Sequence, residues 1–375
     1  MNPHWKPTEL ERLVLEAALG QGDSAVAAWR KYYGEVALEG MPMSTFRLLG
    51  LVHANLAAQG YTGEEMGRVK GIRRRLWVEG EQLLFRCLPV LRELPRIAGR
   101  VALLKGAPMA AAYYKDFGLR PMTDIDMLIP EAAALSTMAW LTGQGFTCTI
   151  YPEPRRVDQE FLTYRHGANY AKGDIEIDLH WHVSPLATRP GADSELWRDA
   201  EPLHLKGMHL ETLGAEGHLY HAVVHGVLWN PFPAFRWVAD AVTILRAKPA
   251  FDWDRFLGYA RRLRVENYVA PCLRYLRDDF GSPVPERVLA ELESRPLGYF
   301  ARAEFARQTL PVTTQSAAVV AAGTWHQYRR TGAGIANLPR MTRYFAYTWN
   351  LQDWDTAKRE INRWRQNRRT SAGAN

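Results

Sequence analysis

An α+β chain is predicted, with a strand-bearing segment of about a hundred residues set between two helical regions. Three patterns carry that expectation. Apolar residues in the first quarter recur at spacings of three and four, as in Leu10, Leu13, Val14 and Ala17 and again in Leu83, Leu84, Leu88 and Leu91. From Val101 short apolar runs alternate with helical stretches, and from about Glu211 the helical spacing returns. The expected division is a helical region over 1–97, a central core over 98–210 and a second helical region with a basic tail over 211–375.

The first region reads as helices from about Glu9 to Leu94, with Pro95 as the terminator and Arg73 to Arg92 on the helix before it. It is expected to cap a sheet rather than fold alone. Val101-Ala102-Leu103-Leu104-Lys105-Gly106-Ala107-Pro108 follows, a buried strand, a Lys-Gly turn and a helix opening near Pro108. Gly106 would let backbone approach a ligand, and a helix N-terminus offers free N–H groups to phosphate. An ordinary strand-to-helix turn with a solvated Lys105 is the plainer alternative.

Next comes Arg120-Pro121-Met122-Thr123-Asp124-Ile125-Asp126-Met127-Leu128-Ile129, an acidic pair at i and i+2 in an apolar run. In an extended strand, side chains two apart share a face, so Asp124 and Asp126 project together while Ile125, Met127 and Ile129 enter a core. Glu131 to Gly143 reads as a helix, Gly145 to Ile150 and Phe161 to Ala171 as strands, and Lys172-Gly173-Asp174 as a hairpin turn. His166 on that hairpin could reach a ligand or be structural. The strand after the turn, Asp174 to Val183, alternates throughout, with Asp178, His180 and His182 on one face. Each acidic strand alone is equally an exposed edge; the pair together asks for a counter-ion, because clustered carboxylates repel and burial disfavours their charge. A hard divalent cation meets that need, and two such ions about 3.5–4 Å apart serve in-line displacement at phosphorus. Orienting Asp178 is the expected part for His180 and His182.

Leu104-Lys105-Gly106, Arg120-Pro121-Met122-Thr123-Asp124-Ile125-Asp126 and Ile177-Asp178-Leu179-His180-Trp181 resemble the uncharacterised nucleotidyltransferase family of the DNA polymerase beta-like superfamily. The resemblance covers roughly 101–183, with a looser match beyond. It implies a small mixed sheet flanked by helices and a nucleoside triphosphate bound with two magnesium ions. Asp124, Asp126 and Asp178 match the metal-binding and catalytic carboxylates, and Asp178 would take the acceptor's proton. Gly106 matches the glycine of the phosphate-binding turn; the chain lacks the Gly-Ser or Gly-Gly of many relatives, and Lys105 is expected to stand in for it. Arg120, Thr123 and His180 fall on the nucleotide side, with Lys105 and Arg120 expected to neutralise developing charge. Asp240 matches an aspartate of the family's helical half without a derived role.

The helices expected after Glu211 are Leu213–Leu228, Phe235–Leu245, Trp253–Leu263 and Tyr268–Asp279, then others beyond Pro311. His218, His221 and His225 share one helical face, as a metal face or as histidines lining a cleft. The net charge of +7 admits an anionic partner. Basic clusters stand at Arg73–Arg75, at Arg261–Arg264 and along the tail through Lys358 to Arg369, and the tail's Trp349, Trp354, Ile361 and Trp364 interleaved with those charges would suit RNA or packing on the domain. No run of eighteen apolar residues and no signal-peptide core are seen, so the expectation is a cytoplasmic protein without a membrane partner. Cys87, Cys148 and Cys272 lack metal or disulfide spacing. Transfer of a nucleoside monophosphate to a small-molecule or peptide acceptor leads; an RNA- or tRNA-modifying transferase of toxin type and a non-catalytic nucleotide-binding module are the alternatives.

Overall fold

A computed structural model describes residues 4–149, 158–230, 235–294, 296–311, 314–332 and 338–348. The first helix, Glu9–Leu19, opens with a reciprocal cap in which Thr8 accepts from the Glu11 amide and the Glu11 carboxylate accepts from the Thr8 amide. It packs with helices Gly22–Glu35 and Leu49–Ala58 through Val14, Leu15, Ala17, Trp29, Val52 and Leu56. The helix that follows does not stop at Pro95. It runs Met66–Ala98 with Pro89 and Pro95 inside, and ends at Gly99, whose φ of 76° lets its amide turn back to the Pro95 carbonyl. A proline inside a helix costs about 3 kcal/mol. The buried stripe Leu83, Leu84, Cys87, Val90, Leu91, Leu94 and Ala98 offsets that.

Seven strands make one mixed sheet: β1 (Ala102–Leu104), β2 (Ile125–Leu128), β3 (Thr147–Cys148), β4 (Gly167–Lys172), β5 (Ile175–His180), β6 (Glu201–Leu205) and β7 (Met208–Thr212), in the order β3-β4-β5-β2-β1-β7-β6. β2 runs antiparallel to β1 and parallel to β5, and β1 runs parallel to β7. The Lys172-Gly173-Asp174 turn is present, with Gly173 at φ 55° joining β4 to β5. The strand expected over Phe161–Ala171 is only half strand. Asp158 caps Phe161 and a helix forms over Gln159–Tyr164, burying Phe161 and Leu162, before β4 begins at Gly167. Of the strand expected to Ile150, only Thr147–Cys148 pairs, and Ile150 lies outside the described residues. The β6–β7 hairpin was not anticipated.

Alternation along β1 and β2 divides the apolar side chains between two cores. Leu103, Ile125, Met127, Ile177 and Leu179 face the end of Met66–Ala98 and the helix Ala134–Gly143. Ala102, Leu104 and Leu128 face the other way, into a core built jointly by the N-terminal helices and by Ala215–Val227, Arg236–Ala247, Trp253–Arg262 and Glu266–Phe280. The two helical regions meet directly, the Trp237 indole donating to the Trp5 carbonyl at 3.1 Å. By the same alternation Asp126 lies on the face that both helical regions cover, while Asp124 stands in the bend just before β2 rather than in the strand as expected.

Candidate active site

Register brings the acids together. In the parallel β2–β5 ladder Asp126 is the direct partner of Asp178, and across β1 it is the partner of Leu104, the residue before the Lys-Gly turn. Ligand atoms of Asp126, Asp178 and His180 all lie within 4.8 Å of one another. Asp124 stands outside that triad but lines, with Asp126, a cavity of about 740 Å³. Lys105, Gly106, Arg120, Met122 and Thr123 share its wall, so every expected site residue from Lys105 to Asp126 opens on one space.

Charge in the triad is compensated from inside the protein. The Lys105 ammonium donates to Asp126 at 2.5 Å and lies 3.7 Å from Asp178, while His180 Nε2 is 3.0 Å from Asp178 and 3.3 Å from Asp126. Burial alone would raise both carboxyl pKa values. For Asp178 the His180 imidazolium and then Lys105 outweigh it and hold the group far below the usual carboxylate range; for Asp126 Lys105 leads. Burial would lower His180, but Asp178 and Asp126 push it up to about 9. Asp124 behaves differently. Burial and the neighbouring Asp126 raise it to about 6, and no hydrogen bond or ion pair reaches its carboxylate among the described residues. Lys105 takes its place with φ 48° and ψ −110°, a backbone conformation that costs a non-glycine residue of order 1–3 kcal/mol. Strain of that kind persists where the surrounding structure demands it, and here it aims the ammonium at the acids.

Arg120 meets the cavity wall with its charge already committed. Its Nε and Nη2 donate to the two carboxylate oxygens of Asp240 at 2.7 and 2.8 Å, and the Tyr114 hydroxyl donates to the same carboxylate at 2.8 Å. Asp240 is thus the anchor that holds the residue opening the acid strand. Gly106 serves packing first: a Cβ there would sit 2.8 Å from the Met122 Cβ. His182 is not on the face of Asp178 as expected. β5 ends at His180, the chain turns, and His182 Nδ1 bonds Asp193 at 2.7 Å. His166 packs its ring 5.3 Å from that of His180 rather than entering the cavity.

His218, His221 and His225 line a narrow extension of the cavity behind Lys105. Among the described residues the group of three or more metal-capable side chains drawn together is the Asp126 triad, and the three histidines stand as lining of the cleft. His218 Nε2 donates to Thr212 Oγ1 at 2.9 Å, because that hydroxyl already donates to the Leu103 carbonyl. Sequence reasoning missed Ser44, Arg47, Asn230 and Arg236, which line the 740 Å³ cavity together with His225, one of the histidines expected to line a cleft. They come from segments far apart in the chain, and no local pattern joined them.

The basic clusters are largely neutralised. Arg73 pairs with Asp116, Arg75 with Glu79, Arg261 with Glu291, and Arg262 with Ser194 and Glu195. The tail from Lys358 to Arg369 lies outside the described residues. Among the described residues no helix is long and apolar enough to cross a membrane.

No curated protein matches the chain. A family model described as uncharacterised nucleotidyltransferase matches residues 44–281, well over half of the 375 and wider than the motif region alone. It takes in the sheet, both acid strands, Arg47 near its start and the helices that carry His225, Arg236 and Asp240. Motifs, register and family match agree, and the chain belongs to this uncharacterised nucleotidyltransferase family.

Proposed function

We propose that the protein is a magnesium-dependent nucleotidyltransferase that moves a nucleoside monophosphate from a nucleoside triphosphate to a hydroxyl or carboxyl acceptor. The observation that carries this reading is the β2–β5 register, which sets Asp126 beside Asp178 at the head of a cavity where a third acid, Asp124, has no counter-charge bonded to it among the described residues. The donor set fits a hard cation: the three carboxylates supply oxygen ligands, and Asp124 gains the positive partner it lacks. Asp124, Asp126 and Asp178 would hold two magnesium ions, which supply charge neutralisation at the α-phosphate and a lowered pKa for the acceptor.

Within that reading the acceptor oxygen attacks the α-phosphorus, the bond to the bridging oxygen breaks and pyrophosphate leaves. The acceptor's proton passes to Asp178, which is the more exposed member of the paired acids. His180 holds Asp178 and Asp126 in place from beneath. Arg120, fixed by Asp240, and Lys105 set a positive wall against the phosphates. A small-molecule or peptide acceptor is favoured over RNA, since Arg261 and Arg262 are spent on glutamates. Three free cysteines suit the reducing cytoplasm.

The test is incubation with each α-labelled triphosphate, magnesium and a cell extract, with the label followed into product and pyrophosphate measured. Wild type should release pyrophosphate, and Asp126→Asn should keep its circular dichroism and melting transition while losing at least about a thousandfold in rate. Near wild-type magnesium-dependent release by Asp126→Asn would refute the reading.

A further inference from the structure

Two guanidinium groups in the cavity are bonded to no anion among the described residues. Arg47 comes from the N-terminal region, just after the short helix Met43–Phe46, and Arg236 is the first residue of the helix Arg236–Ala247 in the C-terminal region. Both line the cavity that holds Asp124 and Asp126. Arg47 forms no side-chain hydrogen bond or ion pair among the described residues. Among the described residues Arg236 donates only to the Pro121 carbonyl, at 3.0 Å.

Of the nearby carboxylates, Asp240 and Glu11 are engaged elsewhere, and Asp124, which lines the same cavity and feels the Arg236 charge, forms no ion pair with either guanidinium among the described residues. Asp240, one helical turn from Arg236, accepts from Arg120 twice and from Tyr114. Glu11, on the same cavity wall, is closed onto Thr8. Burial and the Arg120 cation depress the Arg236 pKa to about 9, and Arg47 adds to the repulsion. The N-cap of its helix, Phe235, brings no side-chain oxygen to the first amides, so the positive pole of that helix is open as well. Like charges gathered this way are costly unless an anion enters between them, and the planar guanidinium fork matches phosphate oxygens in bidentate fashion.

We infer that Arg47 and Arg236 form a two-sided clamp for a polyphosphate, taking the β- and γ-phosphates that leave as pyrophosphate. This inference rests on the proposed transferase reading for the identity of the anion. It also gives the N-terminal helices a part in the site beyond covering the sheet: the ligand would be gripped by both helical regions at once, opposite the acids of the sheet.

The experiment is titration calorimetry of the full chain with inorganic pyrophosphate, tripolyphosphate and orthophosphate, in magnesium, for wild type, Arg47→Ala, Arg236→Ala and the exposed control Arg74→Ala. Each cavity variant should weaken pyrophosphate and tripolyphosphate by roughly 10- to 100-fold, the range of a lost charge-assisted contact. Arg74→Ala should bind as wild type does. Arg47→Lys and Arg236→Lys should fall between, since a point charge replaces the fork. Unchanged pyrophosphate binding in a folded Arg47→Ala protein would overturn the inference, as would equal weakening by Arg74→Ala or no pyrophosphate binding by wild type. Should Arg236→Ala not fold, Arg47→Ala decides alone. Failure of the two readings is separable: arginine-dependent pyrophosphate binding without any nucleotidylated product keeps the clamp and rejects the transferase, and product formation indifferent to both arginines does the reverse.

Discussion

Asp240 and Lys105 show how single charges position this site. Asp240 is buried and is the leading counter-charge of the buried Arg120, so Asp240→Ala leaves that guanidinium in low dielectric without its bonded carboxylate. Breaking one side of a buried pair costs roughly 3–5 kcal/mol. The expected outcome is a shift of that size in the urea unfolding midpoint, together with a higher KM for the triphosphate, because Arg120 opens the acid strand. Lys105 stands between Asp126 and Asp178 and is largely buried. Lys105→Met removes that ammonium and leaves the paired acids to His180. The variant should melt lower than wild type in EDTA and gain more from added magnesium, as read by thermal denaturation across a magnesium series. Equal gains in the two proteins would mean that Lys105 does not share the acids with a cation.

At the scale of elements, the acid strand is aimed by the loop in front of it. Gly50, in the helix Leu49–Ala58, passes so close to that loop that a Cβ would lie 1.9 Å from the Gly118 carbonyl oxygen. Neither backbone can yield cheaply, so Gly50→Ala should destabilise by about 1–3 kcal/mol in urea unfolding and, by moving residues 118–120, reduce turnover as well. Contacts of this kind are invisible in a sequence, and they mark where reading it stopped. The period-two alternation within each acid strand was legible because it is local, and it grouped Asp178 with His180 but wrongly added His182, which lies past the end of β5. The ladder that makes Asp126 and Asp178 neighbours is long-range, and only the family resemblance suggested it. Pro95 was read as a stop because its missing N–H is a local fact, whereas the buried stripe that carries the helix on to Ala98 is a tertiary one. Phe161 and Leu162 fit either period, and the Asp158 cap decided for helix. The β6–β7 hairpin had a usable signal that went unread: Leu203 and Leu205 alternate into Lys206-Gly207, both at positive φ, and Met208 and Leu210 alternate out. Arg47 and Arg236 had none, since nothing local links two arginines 189 positions apart (236 − 47).

For the whole molecule, the joint core of N- and C-terminal helices ties stability to the histidine wall of the cavity. His218 is 2% exposed and held neutral, its Nε2 proton given to Thr212, and burial pushes its pKa down to about 4. An unfolded histidine titrates near 6.5. The sign follows from proton uptake: between those values the unfolded chain binds a proton at this residue and the folded chain does not, so acid favours unfolding. The contribution of neutral His218 is fully present above about pH 6.5 and is lost as pH falls towards 4, amounting to about 3 kcal/mol over the whole interval. His221 is depressed in the same direction by burial and Lys105, so wild type should lose stability steeply over this range. His218→Gln keeps an amide to donate to Thr212 and cannot titrate. It should be less stable than wild type at pH 7.5 yet show a shallower decline of urea midpoint between pH 7 and 5. Parallel declines in the two proteins would place the acid sensitivity elsewhere than in the seam where β7, the Ala215–Val227 helix and the cavity meet.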